Sequence, residues 1–99
     1  MRVVSHRMLK ACFESPGRED ARVPMERWYK ITEESDWKSF SDVKKDFGSV
    51  DSIGNQHYVF NIKGNTYRIV AVIKFVMGFV FIRFVGTHEE YDKIDARTI

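Results

Sequence analysis

HYVFNIKGNTYRIVAVIKFVMGFVFIRFV, residues 57–85, is the stretch that decides the fold. It is rich in apolar side chains, and much of it alternates with the period of two that is typical of β-strands. Lys63-Gly64-Asn65 predicts a hairpin turn, and a second turn is expected near Gly78. The three segments that these turns separate cover residues 57–62, 67–75 and 79–85. The stretch therefore predicts three consecutive antiparallel strands.

The residues before this stretch have helical spacing instead. A short strand over residues 2–5 precedes a helix over about residues 6–14, and a second helix ends near Glu34. A third, short helix is expected after Ser39, because Ser39 and Asp42 fit the capping-box pattern. The N-terminal half is therefore predicted to be mainly helical.

These elements define the expected architecture. The turn-rich segment 48–55 is typical of a loop that leads from the helices to the sheet. We predict an α+β fold for a single domain, residues 1–99: an antiparallel sheet, N-terminal helices packed on one face, and a short C-terminal helix. The other face of the sheet is expected to stay partly free.

Composition limits the class of protein. With 99 residues and 43% hydrophobic content, the chain has enough apolar mass for one core. No apolar run reaches the roughly 18–20 residues needed to cross a bilayer, and the N-terminus lacks the apolar region of a signal peptide. The single cysteine, Cys12, has no disulfide partner within the chain, so we expect a buried thiol in a reducing compartment. We therefore predict a cytoplasmic protein with no membrane association.

Charge is unevenly distributed along the chain. Residues 1–55 hold ten basic and ten acidic side chains, which cancel. The sheet region 56–86 has no Asp or Glu, and its four basic residues are Lys63, Arg68, Lys74 and Arg83. A basic surface of this kind favours an anionic partner such as nucleic acid, although a merely solvated sheet face explains four charges equally well.

The alternation also assigns faces in the central strand. Tyr67 begins an apolar row on one face, whereas Arg68 and Lys74 belong to the other. Lys63, at the tip of the preceding hairpin, is expected to approach the side that Arg68 occupies. For Arg83, the pattern leaves open whether the side chain faces Arg68 or the helices.

The last strand leads into Gly86-Thr87-His88-Glu89-Glu90-Tyr91. Thr87 and Glu90 have the spacing of a capping box, which predicts a short helix that begins at His88. His88 and Tyr91 would share one side of that helix, beside its partly positive N-terminus. This position favours a neutral imidazole that can accept a proton. The alternative is a terminal helix with an exposed histidine and a packed tyrosine.

Other kinds of active site find no support in the sequence. His6, His57 and His88 are scattered and lack metal-ligand spacing with cysteine or paired carboxylates, so we expect no metal. The chain has no glycine-rich phosphate loop and no signature of a serine or cysteine nucleophile. We expect no cofactor. The candidates for chemistry are therefore His88, Tyr91 and the basic residues.

Several strings of residues resemble one known family. FNIKGNTYRI (60–69) and, above all, IRFVGTHEEYDKI (82–94) are similar to the HigB toxins of type II toxin–antitoxin systems. VVS (3–5), RWYK (27–30) and DWKSFSDVK (36–44) also agree with the pattern of that family. The resemblance covers nearly the whole chain.

The resemblance implies a RelE-like fold and ribosome-dependent cleavage of messenger RNA in the A site. It also implies neutralisation by a helix-turn-helix antitoxin of the HigA type, and contact with operator DNA only through that antitoxin. The catalytic residues that it suggests in this sequence are Arg68, Lys63, His88 and Tyr91. Further contacts with RNA or the ribosome are predicted for Lys74, Arg83 and His57.

The implied reaction needs neither a metal nor a covalent nucleophile. RNA can cut itself when its 2′-hydroxyl is deprotonated and aligned with the adjacent phosphorus. The hypothesis gives His88 the acid–base role, while Arg68 and Lys63 stabilise the charge on the phosphorane oxygens. Tyr91 would stack on a base or hydrogen-bond the phosphate. A competing hypothesis is a non-catalytic module that uses the same basic face to hold RNA or an acidic protein.

Overall fold

Four α-helices and five strands make up the fold, which the computed structural model describes over residues 1–99. The helices are α1 (His6–Phe13), α2 (Arg22–Glu34, after a 3₁₀ turn at Glu19–Ala21), α3 (Phe40–Asp46) and α4 (His88–Tyr91). The strands are β1 (Arg2–Val4), β2 (Asp51–Gly54), β3 (His57–Ile62), β4 (Tyr67–Lys74) and β5 (Phe79–Thr87). The predicted α+β fold is confirmed. None of the helices is long and apolar enough to span a bilayer.

One five-stranded sheet has the order β1-β5-β4-β3-β2. The three strands predicted from the alternation pair antiparallel, but β1 pairs with β5 in parallel. The predicted antiparallel strands are thus confirmed, and β1 makes the sheet mixed, because the long connection between β1 and β5 allows these two strands to run in the same direction. Segment 48–55 is also more than a loop, since Asp51–Gly54 gains backbone partners by pairing with β3.

The N-terminus of α3 differs from the predicted capping box. The side chain of Ser39 makes no capping hydrogen bond. Instead, the carboxylate of Asp42 accepts a hydrogen bond from the backbone N–H of Lys38 at 2.8 Å. Asp42 therefore accepts from the backbone N–H of Lys38, one residue before the Ser39 N–H that a capping box would use. The helix still forms, and its residue Val43 is fully buried.

The face of the sheet that carries the helices contains the core. Trp28 of α2 meets the ring of Phe60 edge-on, with 5.3 Å between the ring centroids. Tyr67 and Ile69 of β4 lie in the same buried cluster, as the alternation predicted. Cys12 of α1 is buried there too, which confirms its structural role. Packing of aromatic and aliphatic side chains therefore fixes the helices to this face.

The opposite side of the sheet, which we call the open face, is only partly covered. The C-terminal segment after α4 lies across it, where Ala96 packs with Val59 of β3 and Val70 of β4. Arg68 and Lys74 lie on this face on either side of Val70, because side chains alternate along β4. The middle of the open face is thus covered by the C-terminal segment, whereas its two ends, at Arg68 and at Lys74, are half-exposed.

A bulge between β4 and β5 decides where Arg83 lies. Val70 is opposite Phe84 whereas Ala71 is opposite Ile82, so Arg83 is an additional residue in β5. Arg83 is exposed and borders a groove on the open face. The sequence pattern could not assign this face, since one additional residue reverses the alternation.

Candidate functional site

Arg68 forms the centre of the candidate site. It lies on the open face of β4, directly between Asn61 of β3 and Gly86 of β5, and is half-buried. Its guanidinium carbon is 4.6 Å from the centroid of the Tyr91 ring, and its Nη2 donates to Asn65 Oδ1 at 3.1 Å. The guanidinium is thus fixed on one side by an aromatic face and on another by the hairpin.

Two polar side-chain atoms of this residue pair, Arg68 and Asn61, lack partners. Arg68 Nε and Asn61 Oδ1 are both buried and make no hydrogen bond. They belong to directly opposed residues on the same face of the sheet. A buried donor without a partner has a free-energy cost, which a shift of the Arg68 side chain that exposes Nε to a ligand would relieve.

Helix α4 is held at the end of β5 by a capping box, as predicted. The N–H of Glu90 donates to Thr87 Oγ1 at 3.1 Å, and the N–H of Thr87 donates to Glu90 Oε1 at 3.0 Å. The backbone N–H of His88 donates to the Thr66 carbonyl at 3.1 Å. The start of α4 is therefore fixed to the same hairpin that contacts Arg68.

Arg18 ties this helix to the N-terminal layer. Its two terminal nitrogens donate to the two carboxylate oxygens of Glu90 at 2.8 and 2.9 Å. The hydrogen bonds from Arg18, followed by those of the capping box, lower the pKa of Glu90 to about 2. Gly86 makes room for this arrangement, since a Cβ there would lie 2.5 Å from Glu90 Oε1 and 2.8 Å from the Phe84 ring.

His88 projects from the first residue of α4. Its side chain is 44% exposed, yet Nδ1 itself is buried and makes no hydrogen bond. The nearest carboxylate is that of Asp92, one helical turn later, with Oδ2 at 3.6 Å from Nδ1. The accessible part of the imidazole therefore contains Nε2.

Lys63 does not lie beside Arg68. Its ammonium contacts Asp20 Oδ2 at 2.5 Å, and the other oxygen of that carboxylate accepts from the Tyr67 hydroxyl at 2.6 Å. These bonds lower the pKa of Asp20 and raise the pKa of Tyr67 to about 12. Because Tyr67 lies on the helical face, the expectation that Lys63 approaches the side of Arg68 is wrong: Asp20 holds it toward the helices.

The three further residues predicted to contact RNA lie at the other end of β4. Arg83 is exposed, and Lys74 Nζ donates to Gln56 Oε1 on the same face. His57 is only 5% exposed. Its Nδ1 is 2.7 Å from the Asn55 carbonyl oxygen and its Nε2 is 2.8 Å from that of Ile99. Both ring nitrogens are therefore engaged within the protein.

The structure thus brings together Arg68 and Tyr91 with His88 on the same short helix, and separates Lys63 and Lys74 from them. Three contributors to the site were not predicted from the sequence: Asn65, Asp92 and the Arg18–Glu90 ion pair. The spacing of four between His88 and Asp92 could have indicated their contact. Nothing local could have indicated Arg18, which lies 72 residues from its partner.

A model of the HigB toxin family, described as the RelE-like toxic component of a toxin–antitoxin system, matches residues 21–94. The chain belongs to the HigB toxin family. The matched residues include Arg68, His88 and Tyr91. Membership of the HigB family makes this chain the toxic component of a toxin–antitoxin system, and an antitoxin is therefore its expected partner.

Individual relatives in the HigB family agree with this result. The mRNA interferase HigB of Escherichia coli O6:H1 is 29% identical over 93 residues, which cover 90% of each chain. The mRNA interferase toxin HigB of Escherichia coli K-12 is 41% identical over 58 residues, 57% of this chain and 56% of that protein. The mRNA interferase HigB of Shigella flexneri matches with the same identity and coverage.

Proposed function

We propose that this toxin is an endoribonuclease that cleaves messenger RNA on the ribosome without a metal ion, and that residues 1–99 act as one catalytic domain. The main support for the proposal is the contact between Arg68 and Tyr91 beside the start of α4, which bears His88. This arrangement combines a fixed cation, an aromatic ring and a proton acceptor in a chain whose relatives are named mRNA interferases.

His88 is the proposed acid–base group. A hydrogen on Nδ1 would face the carboxylate of Asp92, which leaves the lone pair on Nε2 free to accept the proton of an RNA 2′-hydroxyl. The 2′-oxygen then bonds to the adjacent phosphorus while the bond from phosphorus to the 5′-oxygen breaks. The imidazolium returns the proton to the departing 5′-oxygen. The products are a 2′,3′-cyclic phosphate and a 5′-hydroxyl end.

Arg68 is the proposed stabiliser of the phosphorane. Its guanidinium is held by Tyr91 and Asn65, and its buried Nε has no partner in the protein. A cation held in advance at the place where negative charge develops typically contributes about 10²–10³-fold to the rate. Lys63 would first have to leave Asp20 to reach RNA, so its catalytic contribution is smaller. Tyr91 can hold the guanidinium and offer the exposed part of its ring to a base.

The shape of the site supports dependence on the ribosome. Arg68, His88 and Tyr91 lie on a shallow, partly exposed surface, and flexible RNA loses much conformational entropy when it is held there. RNA already fixed in the ribosomal A site would have lost that entropy beforehand. Neutralisation is assigned to a helix-turn-helix antitoxin of the HigA type, through which the complex would bind operator DNA.

Growth arrest on induced expression tests this function. Arg68→Ala and His88→Ala are each expected to abolish arrest, because each removes a group that acts on the reacting atoms. Circular dichroism and antitoxin binding verify that the variants fold. Arg27→Ala, which removes an exposed cation from α2, is the matched control and should remain toxic. Full toxicity of a folded Arg68→Ala/His88→Ala double variant would contradict the site assignment.

The same experiment separates catalysis from simple RNA sequestration. A non-catalytic module that holds RNA through its basic face would lose its effect gradually as Lys74, Arg83 and Arg68 are removed. A catalytic toxin loses its effect in one step when His88 alone is replaced and Lys74, Arg83 and Arg68 are kept.

A further inference from the structure

A groove at the far end of the open face is separate from the proposed catalytic site. It is lined mainly by Gln56, Val72, Lys74, Phe81 and Arg83, and has a volume of about 290 Å³. Val72 lies four residues from Arg68 along β4, a separation of about 13 Å at 3.3 Å per residue. The groove therefore lies on the same face as Arg68 but cannot share one nucleotide with it.

The groove is basic. Lys74 and Arg83 are both at its edge, and no Asp or Glu occurs between residues 56 and 86. The bulge in β5 contributes directly, because it adds Arg83 to the strand as an extra, exposed residue. The C-terminal residue Ile99 reaches the groove wall, where its oxygen lies 2.8 Å from His57 Nε2, but neither Lys74 nor Arg83 forms a salt bridge in the fold. The two unpaired cations therefore favour an anionic occupant.

Aromatic rings lie among these cations. Phe79 and Phe81 are half-exposed on the open face, with 5.5 Å between their ring centroids, whereas Val80 between them is fully buried against the helices. On the neighbouring edge strand, the Arg2 guanidinium lies 6.0 Å from the centroid of Phe79. Half-exposed rings interleaved with cations are the usual surface for single-stranded nucleic acid, since every base can stack on a ring.

We propose that this groove is a second RNA subsite, in which an unpaired base stacks on Phe81 and the adjacent phosphates bind Arg83 and Lys74. Gln56 lies at the rim, where its amide can hydrogen-bond a base edge. This inference rests on the proposed function, because the RNA would be the strand that Arg68 and His88 cleave. It assigns to Phe81 the positioning of nucleotides outside the cleaved bond.

Fluorescence anisotropy of the purified full chain tests the subsite. The probe is a single-stranded RNA of about 12 nucleotides, within the range of sites on small single-strand binding domains. Its 2′-hydroxyls are methylated, so that the proposed reaction cannot occur. Phe81→Leu, which keeps apolar packing and loses the ring, should weaken binding about fivefold or more without changing its salt dependence. Arg83→Ala should weaken binding and reduce the slope of log K against log salt by about 0.7.

Arg27→Ala is the matched control and should bind like the unaltered chain. If Phe81→Leu does not fold, Arg83→Ala still decides the outcome, because Arg83 is exposed and its removal leaves the core intact. Unaltered RNA binding by both variants would overturn the subsite. If the two variants lose antitoxin binding while their RNA binding is unchanged, the subsite is also overturned. The groove would then bind an acidic protein segment.

Failure of the subsite and failure of the proposed function give different results. The anisotropy measurement requires no cleavage, so ring-dependent RNA binding by a chain that cuts no messenger RNA would contradict the proposed function alone. Messenger RNA cleavage that is unaffected by Phe81→Leu and Arg83→Ala, together with unchanged anisotropy, would contradict the subsite alone.

Discussion

The two faces of the sheet are built from the same strands, yet neighbouring residues on one strand point to opposite faces and have different roles. On the helical face, Phe60 packs against Trp28 and Phe47 at 5.3 Å from each ring centroid and is 1% exposed. On the open face, Arg68 and Phe81 are half-exposed and have cations and rings as neighbours. Within β5 the change takes one residue: Val80 is fully buried on the helical face, and the next residue, Phe81, is half-exposed on the open face.

The largest expected effect tests this division directly. Phe60→Ala should lower the free energy of unfolding by about 3–5 kcal/mol, because it leaves a cavity among packed aromatic rings. Arg83→Ala on the other face should change that free energy by no more than about 0.5 kcal/mol. Urea unfolding followed by circular dichroism measures both. Similar losses of unfolding free energy for the two variants would contradict the division of the sheet into a packed face and an open face.

A smaller effect is expected where the two sides of the fold are joined. Glu90→Gln weakens the ion pair with Arg18 and should cost about 1 kcal/mol near neutral pH, since the carboxylate is 44% exposed and solvent screens the pair. The pKa of Glu90 is lowered from 4.5 to about 2. The ion pair therefore contributes its full stability above pH 4.5 and loses it as the pH falls toward 2.

Unfolding measured from neutral pH down to about pH 2 checks the sign. The difference in stability between the unaltered chain and Glu90→Gln should shrink over this interval. A difference that stays constant, or grows on acidification, would show that Glu90 is not held as an ionised partner of Arg18.

The smallest expected effect lies at the contact that orients Arg68. Tyr91→Leu removes the ring beside the guanidinium, 4.6 Å away, and should reduce the cleavage rate about two- to fivefold, equivalent to about 0.5–1 kcal/mol. Tyr91→Phe keeps the ring and should retain most of the rate. If both variants lose activity equally, the tyrosine hydroxyl takes part in the chemistry and the orienting role is insufficient.

Local patterns in the sequence predicted much of the fold. The alternation in residues 57–85 gave the three antiparallel strands, and Thr87 with Glu90 gave the capping box of α4, because both depend on residues close together in the chain. β2 was missed because its turn-rich residues become a strand only when the neighbouring strand supplies hydrogen-bond partners. The parallel position of β1 likewise depends on a partner that lies far along the sequence.

The candidate site was predicted less completely, for the same reason. Arg68, His88 and Tyr91 could be placed by strand alternation and helical spacing. The position of Lys63 could not, because it depends on Asp20, 43 residues away. The face of Arg83 depends on a bulge, which a single sequence does not reveal. Contacts between distant segments therefore account for most of what the sequence left open.

The most direct test of the central claim is to map RNA cleavage with and without ribosomes. Purified toxin is added to one defined messenger RNA, either in a translating extract or alone, and new 5′ ends are located by primer extension. We expect new ends within the translated region in the extract, almost none on the free RNA, and none with the Arg68→Ala or His88→Ala variants. Equal cleavage of free RNA would contradict dependence on the ribosome, and identical cleavage by the two variants would contradict the proposed site.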